Sequence, residues 1–228
     1  ALRLLQQADV VVYDRLVSDE IMDLVPAGVS RISVGKAPGK HCVPQAQINQ
    51  IIVNLALSGR KVVRLKGGDP YLFGRGGEEA QALMEARIAF TVVPGITSAI
   101  GVPAAAGIPV THRNVSPAFT VVTGHRENGG SVNIAWEALA QVGGTIVVLM
   151  GVSERAQIAE RLMAGGLVAT TPVAAIRWGT RAEQVVLRTT LGELGTAALK
   201  APSTIVIGAV AAYEFLDSSI TDHLVAGA

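Results

Sequence analysis

The segment Lys66-Gly67-Gly68-Asp69-Pro70-Tyr71-Leu72-Phe73-Gly74-Arg75-Gly76-Gly77-Glu78-Glu79 is where this sequence concentrates residues that can do chemistry. Gly67 and Gly68 have no Cβ, so a ligand can approach the backbone closely there. Arg75 and Glu78 lie one helical turn apart. Arg75 carries a planar fork that can bind a carboxylate bidentately; its competing use is a solvated ion pair with Glu78, which contributes little. The loop is neither Gly-x-x-x-x-Gly-Lys-Ser/Thr nor Gly-x-Gly-x-x-Gly opening a helix, so neither common nucleotide fingerprint applies. On composition alone, a binding loop and a plain glycine turn fit equally well.

Residues of this kind need rigid elements to hold them, and the pattern around them supplies these. Residues 10–13 form a short apolar run ended by Asp14, and Ser18 can cap the helix that follows, with Pro26 closing it. Residues 31–34 read as the next strand. Ile48, Ile51, Ile52 and Leu55 mark one face of a helix that Gly59 ends. Residues 61–66 read as a strand, 78–87 as a helix and 90–93 as another strand. Further strands are expected at 119–123, 145–149, 173–178, 184–188 and 204–207, and a helix capped by Ser153 and ended by Gly165 and Gly166. Strands alternating with helices predict an α/β fold with mostly parallel sheets. Pro109, Asn114 and Pro117 break any regular pattern, so two α/β domains are expected, 1–113 and 114–228. Ligands of such folds sit at the carboxyl ends of strands. Asp14, Gly35, Lys36, Gly67, Gly68, Asp69, Gly95, Gly151 and Gly179 all follow strands.

Composition narrows the class. Of the 228 residues, 50% are hydrophobic and 16% charged, so the chain folds around a sizeable core. A net charge of +1 provides no global field for nucleic acid or anionic lipid, and no nucleic-acid partner is expected. Cys42 is the only cysteine, which rules out an intrachain disulfide and a cysteine-cluster metal site and fits a reducing, cytoplasmic location. Arg3, Asp9, Asp14 and Arg15 interrupt the start, so no signal peptide is read there. Residues 90–111 carry no charge and could span a bilayer by length. Pro94, Pro103 and Pro109 with Gly95, Gly101 and Gly107 argue instead for a buried strand, a turn and a short helix, and no membrane association is expected. His112 and His125 show no metal-ligand spacing, and no metal is expected. His41, His125 and His223 read as surface or packing histidines.

The glycine loop, together with Val34-Gly35-Lys36, Val93-Pro94-Gly95-Ile96-Thr97-Ser98 and Gly107-Ile108-Pro109-Val110-Thr111-His112-Arg113, resembles the tetrapyrrole methylase family. The resemblance covers nearly the whole chain and is greatest to the uroporphyrinogen III C-methyltransferases, free-standing or as part of a siroheme synthase. It implies two α/β domains with S-adenosylmethionine folded into the cleft between them, and S-adenosylhomocysteine as the product. The matching cofactor contacts are Gly67, Gly68, Asp69, Leu72, Thr97, Ser98, Met150 and Gly179; core packing is the competing role for Leu72 and Met150. The substrate is a tetrapyrrole, uroporphyrinogen III, methylated at C2 and C7 to give precorrin-2. A homodimer is also implied.

In the same way the resemblance assigns acid-base roles to Asp14 as acceptor and Lys36 as donor, for which an ion pair at the cleft rim is the alternative. It places Arg75 near the substrate and in proton transfer. Arg15, Arg75, Glu78, His112 and Arg113 become the candidates for binding the substrate's carboxylates. Family members begin with a further strand and a Gly-x-Gly-Pro-Gly-Asp-like loop; here the sequence starts at the following helix, and it is read as omitting that segment. Another precorrin methylase, or a diphthine-forming methyltransferase, is the near alternative. A nicotinamide-dependent α/β oxidoreductase is the distant one, and its fingerprint is absent from these residues.

Overall fold

A computed structural model of the chain describes residues 1–35, 43–124 and 134–215. Lys36, His41, Cys42, His125 and His223 lie outside the described residues. The chain divides into two compact units, Ala1–Thr97 and Ser98–Ala228.

The first unit contains α1 (Leu2–Gln6), β1 (Val10–Tyr13), α2 (Asp19–Asp23), β2 (Ser30–Ser33), α3 (Gln45–Leu57), β3 (Val62–Leu65) and α4 (Gly76–Glu85). Its sheet has the order β2-β1-β3, parallel throughout. The central strand is an unbroken apolar run because both of its faces are covered. Successive side chains of a strand point to opposite faces. Accordingly Val11 packs with Leu5, Met22 and Val25 on the α1/α2 side, while Val12 packs with Ile48 and Ile52 of α3 on the other. The same alternation splits β3: Val63 and Leu65 join the first cluster, Val62 the second. Ile48, Ile51, Ile52 and Leu55 form the buried stripe of α3 as the periodicity predicts, and Gly59 follows its end at φ +80°.

The second unit contains α5 (Ser98–Ala105), β4 (Phe119–Thr123), α6 (Trp136–Val142), β5 (Thr145–Leu149), α7 (Arg155–Ala164), β6 (Pro172–Arg177), β7 (Val185–Thr190), β8 (Ser203–Ile207) and a 3-10 turn, Ala209–Ala212. Its sheet has the order β4-β5-β8-β6-β7. One face packs α6 and α7 through Trp136, Ile158 and Leu162 against Ile146 and Ile205. On the other, Val102 of α5 meets Ala174, Ile176 and Val206.

Three expectations need revision. Residues 90–93 form no strand; among the described residues no ladder reaches them, and a strand exists only where its amides find a partner strand. The second sheet is not mostly parallel, for only β4 and β5 pair that way, while β8 and β6 pair antiparallel to their neighbours. For β6 and β7 the reason is the connection, a turn rather than a helix, and a short turn reverses direction. The division of the chain precedes α5 instead of following residue 113, because the apolar face of α5 belongs to the second sheet. Among the described residues no helix is long and apolar enough to cross a membrane.

Helices α6 and α7 lie close enough that a Cβ on Gly165 would collide with the carbonyl oxygen of Glu137 and stand 2.6 Å from its Cα. Gly165→Ala is expected to lower stability by about 1–3 kcal/mol, the usual cost of overpacking. Gly28→Ala, where a Cβ meets nothing within 4 Å, should not. Thermal denaturation of the two variants side by side checks this.

Candidate active site

The order β2-β1-β3 fixes where a ligand can enter the first unit. The connection from β1 to β2 carries α2 on one face, and that from β2 to β3 carries α3 on the other, so the two part at β1/β3. Such a switch point opens a crevice beyond the carboxyl ends of the strands. Tyr13 pairs with Leu65, so Asp14 and Lys66 leave the sheet side by side.

Asp14 is tied into a charge cluster beneath this point. Its Oδ1 accepts from Arg64 Nη2 at 2.6 Å, and its Oδ2 stands 3.6 Å from Lys66 Nζ. Arg64 Nε also donates to Glu79 Oε1 at 2.9 Å, and Lys66 Nζ to the same oxygen at 3.2 Å. Gln45 Nε2 adds a third contact to that oxygen at 3.3 Å. The side chains of Arg64, Lys66 and Glu79 are 12%, 8% and 6% exposed, whereas that of Asp14 is 31% exposed. Asp14 is therefore the member that reaches the surface. It makes ion pairs with Arg64 of β3 and with Lys66, the residue after that strand.

The glycine loop follows directly. Gly68 has φ +80°. The Asp69 carboxylate accepts from the Tyr71 amide at 2.9 Å and the Gly95 amide at 3.1 Å, so it ties residues 94–95 onto the loop. These two bonds, that from Gly95 being the stronger influence, hold the Asp69 carboxyl below its ordinary value. A Cβ on Gly95 would collide with the Gly68 carbonyl. The loop then closes on itself, with the Gly76 amide donating to the Pro70 carbonyl at 3.0 Å. Phe73 and Arg75 adopt φ of 52° and 58°, a strained region for such residues that tends to occur at functional sites. Arg75 grips Glu78 with two bonds, of 2.8 and 2.7 Å, at the open start of α4. That grip lowers the Glu78 carboxyl from its ordinary value. Leu72 and Thr97 are half-buried.

Arg15 is exposed and lines a solvent-open pocket of about 460 Å3 with Tyr13, Asp14, Arg31 and Ser33. A Cβ on Gly35 would collide with the Arg15 backbone, so only glycine fits there. The first unit thus gathers Asp14, Arg15, Gly67, Gly68, Asp69, Leu72, Arg75 and Glu78 around the carboxyl ends of its strands.

Ser98, Met150, Gly179, His112 and Arg113 belong to the second unit. Met150 is 47% exposed at φ 55°, so it is not a core residue. Leu149 and Ile176 both pair with Thr204, so Met150 and Gly179 leave the same end of the sheet, beyond the carboxyl ends of β5 and β6. Gly179 is flanked by Trp178 and Thr180, both at positive φ, and a Cβ on it would collide with Val102 of α5. Ser98 is the exposed first residue of α5. His112 Nδ1 lies 2.7 Å from the Arg113 carbonyl, and its ring lies 5.2 Å from that of Tyr213.

Sequence reasoning missed Arg64 and Glu79 as site residues. The signal was present: Arg64 and Lys66 stand two apart on one strand, hence on one face, and a buried cation needs a partner.

A glycine-rich loop at a switch point with an acid beside it, and positive-φ residues after the strands of each unit, mark an α/β protein whose irregular backbone is gathered at the strand ends. The chain belongs to the family of tetrapyrrole (corrin/porphyrin) methylases, whose model matches residues 1–195. Siroheme synthase 2 of Serratia proteamaculans is 53% identical over 211 residues, which are 92% of this chain and 45% of that protein. The chain thus spans less than half the length of such curated relatives. A uroporphyrin-III C-methyl transferase from Thermus thermophilus, solved with S-adenyl homocysteine, is similar at a TM-score of 0.80 and 35% identity, over 92% of this chain and 90% of that one. A cobalt precorrin-4 methyltransferase reaches the same TM-score at 24% identity, over 93% of this chain and 88% of that one, and shows the shared fold alone.

The Asp69 bonds carry a pH signature. A carboxyl held below its ordinary value keeps its acceptor role as the pH falls past that value and loses it only lower. The Gly95 amide resonance should therefore titrate with a midpoint below 3.8, and the transition should vanish in Asp69→Ala. A midpoint at or above 3.8 in an NMR titration would contradict the geometry.

Proposed function

We propose that this chain transfers methyl groups from S-adenosylmethionine to C2 and C7 of uroporphyrinogen III, giving precorrin-2. The observation that carries the reading is the glycine loop at the β1/β3 switch point beside Asp14, in a chain of the tetrapyrrole methylase family. Its 35% identity to a uroporphyrin-III C-methyl transferase supports the substrate.

The residues present suit the cofactor. A side chain added at Gly67 would meet nothing nearer than Leu16 at 3.6 Å, so the backbone there is open to a ligand. Ser98 and Met150 are exposed. The family resemblance names Gly67, Gly68, Asp69, Leu72, Thr97, Ser98, Met150 and Gly179 as the residues that would hold it. When bound, the group would supply an electrophilic methyl on a sulfonium: as an electron-rich pyrrole carbon bonds to that methyl, the S–CH3 bond breaks and S-adenosylhomocysteine leaves. The protein's contribution is alignment and proton transfer. Arg15, Arg75, His112 and Arg113 bind substrate carboxylates, and Glu78 holds the Arg75 fork in orientation. Asp14 accepts the proton released as the macrocycle rearranges, with Lys36 as donor. The protein acts as a cytoplasmic homodimer, and the methyl transfer corresponds to one portion of a siroheme synthase.

The test uses isothermal titration with S-adenosylhomocysteine, followed by turnover with uroporphyrinogen III. Gly67 lies outside the left-handed region, so Gly67→Arg can fold without backbone strain. It should abolish binding while leaving the melting temperature unchanged. The unaltered chain should bind at micromolar affinity or better and add two methyl groups to the substrate by mass spectrometry. Equal binding by Gly67→Arg would refute the assignment of the loop.

A further inference from the structure

The charge cluster under the switch point contains a side chain, Arg64, to which no role has been assigned. We propose that Arg64 is the positioning residue of the reaction, orienting the Asp14 carboxylate so that Oδ2 is the atom that takes the proton. The inference rests on the reading of Asp14 as acceptor.

Every nitrogen of the Arg64 guanidinium is committed. Nε donates to Glu79 Oε1 at 2.9 Å, Nη1 to the carbonyls of Val12 at 3.3 Å and Leu65 at 3.0 Å, and Nη2 to Asp14 Oδ1 at 2.6 Å. The fork therefore spans the ends of β1 and β3 and the first turn of α4. It cannot rotate without breaking several bonds at once. Asp14 Oδ1 is occupied by a short charge-assisted bond. Oδ2 stands 3.6 Å from Lys66 Nζ, an ion-pair separation too long for a hydrogen bond. Oδ2 is thus the oxygen left to receive a proton. In the step itself the C–H bond of the methylated macrocycle breaks and an O–H bond forms at Oδ2. The C–H electron pair stays in the ring, where it cancels the positive charge left by methyl transfer.

Stability alone does not account for the arrangement. A buried set of ions contributes little or nothing over apolar residues of the same volume. What it provides is a fixed direction for the one carboxylate that reaches the surface. Lysine has the charge but a single nitrogen, so it cannot reproduce the fork.

The experiment is a double-mutant cycle on kcat with Arg64→Lys and Asp14→Asn. Arg64→Lys should lower kcat by roughly tenfold to a hundredfold, within the usual contribution of a positioned acid or base. KM for uroporphyrinogen III and affinity for S-adenosylhomocysteine should stay within about threefold, since the substitution touches neither ligand. On the Asp14→Asn background the same substitution should cost nothing more. A folded Arg64→Lys with unchanged kcat, or losses that multiply in the double variant, would overturn the inference while leaving Asp14 as acceptor. Full turnover by Asp14→Asn would instead overturn the acceptor reading. Should Arg64→Lys fail to fold by circular dichroism, Glu79→Gln loosens the same guanidinium from the α4 side. It should give a smaller kcat loss that likewise disappears with Asp14→Asn, and no loss would count against the proposal.

Discussion

Arg64 of β3 and Lys66 just after it place two positive charges nearly out of reach of water, and neither can stand there alone. Removing an ion of this size from water costs several kcal/mol even after relaxation. The compensation comes from two separate elements: Asp14 at the end of β1 and Glu79 in the first turn of α4. The ends of β1 and β3 and the start of α4 are consequently bound to one geometry. The loop between β3 and α4, which holds Gly67 through Arg75, is pinned at both ends by this cluster. Lys66 precedes that loop immediately and Glu79 follows it within one turn of helix.

Within those pinned ends the backbone is folded more tightly than side chains would permit. The Gly68 carbonyl lies where a Cβ on Gly95 would be, and the Pro70 carbonyl lies where one on Gly76 would be. Close approach of this kind exposes peptide groups on the outer side, where a ligand can use them. Asp69 completes the arrangement by accepting from two amides, one of them on a distant part of the chain. The carboxylate of Asp69 is thus a structural acceptor as well as a candidate contact. The left-handed backbone of Phe73 and Arg75 is tolerated because the surrounding bonds leave no other path.

The second unit shows the same distribution of strain. Met150, Trp178 and Thr180 all take positive φ, and all three follow β5 or β6 at one end of the sheet. The Arg181 guanidinium lies 5.0 Å from the centre of the Trp178 ring, and the Thr180 amide donates to Gln184 at 2.9 Å, which steadies the turn around Gly179. Regular, apolar strands carry the stability, and their carboxyl ends carry the irregular backbone. That division of labour is what the strand-end rule for open α/β sheets describes.

Much of this was legible in the amino-acid sequence. The apolar run of β1, the stripe of α3 and the limits of β4 and β5 follow from local periodicity, which needs no knowledge of neighbours. The glycine loop and the residues after each strand followed from the same reading, and the four motifs together pointed to the family. Pairing was not legible. Whether residues 90–93 form a strand, and in which direction β8 and β6 run, depends on partners far away in the chain, and periodicity is blind to them. Nor could spacing reveal that Arg64 would meet both Asp14 and Glu79. Alternation along β3 fixed the face on which Arg64 lies, but only the register of β3 on β1 and the packing of α4 decided which carboxylates it would find there.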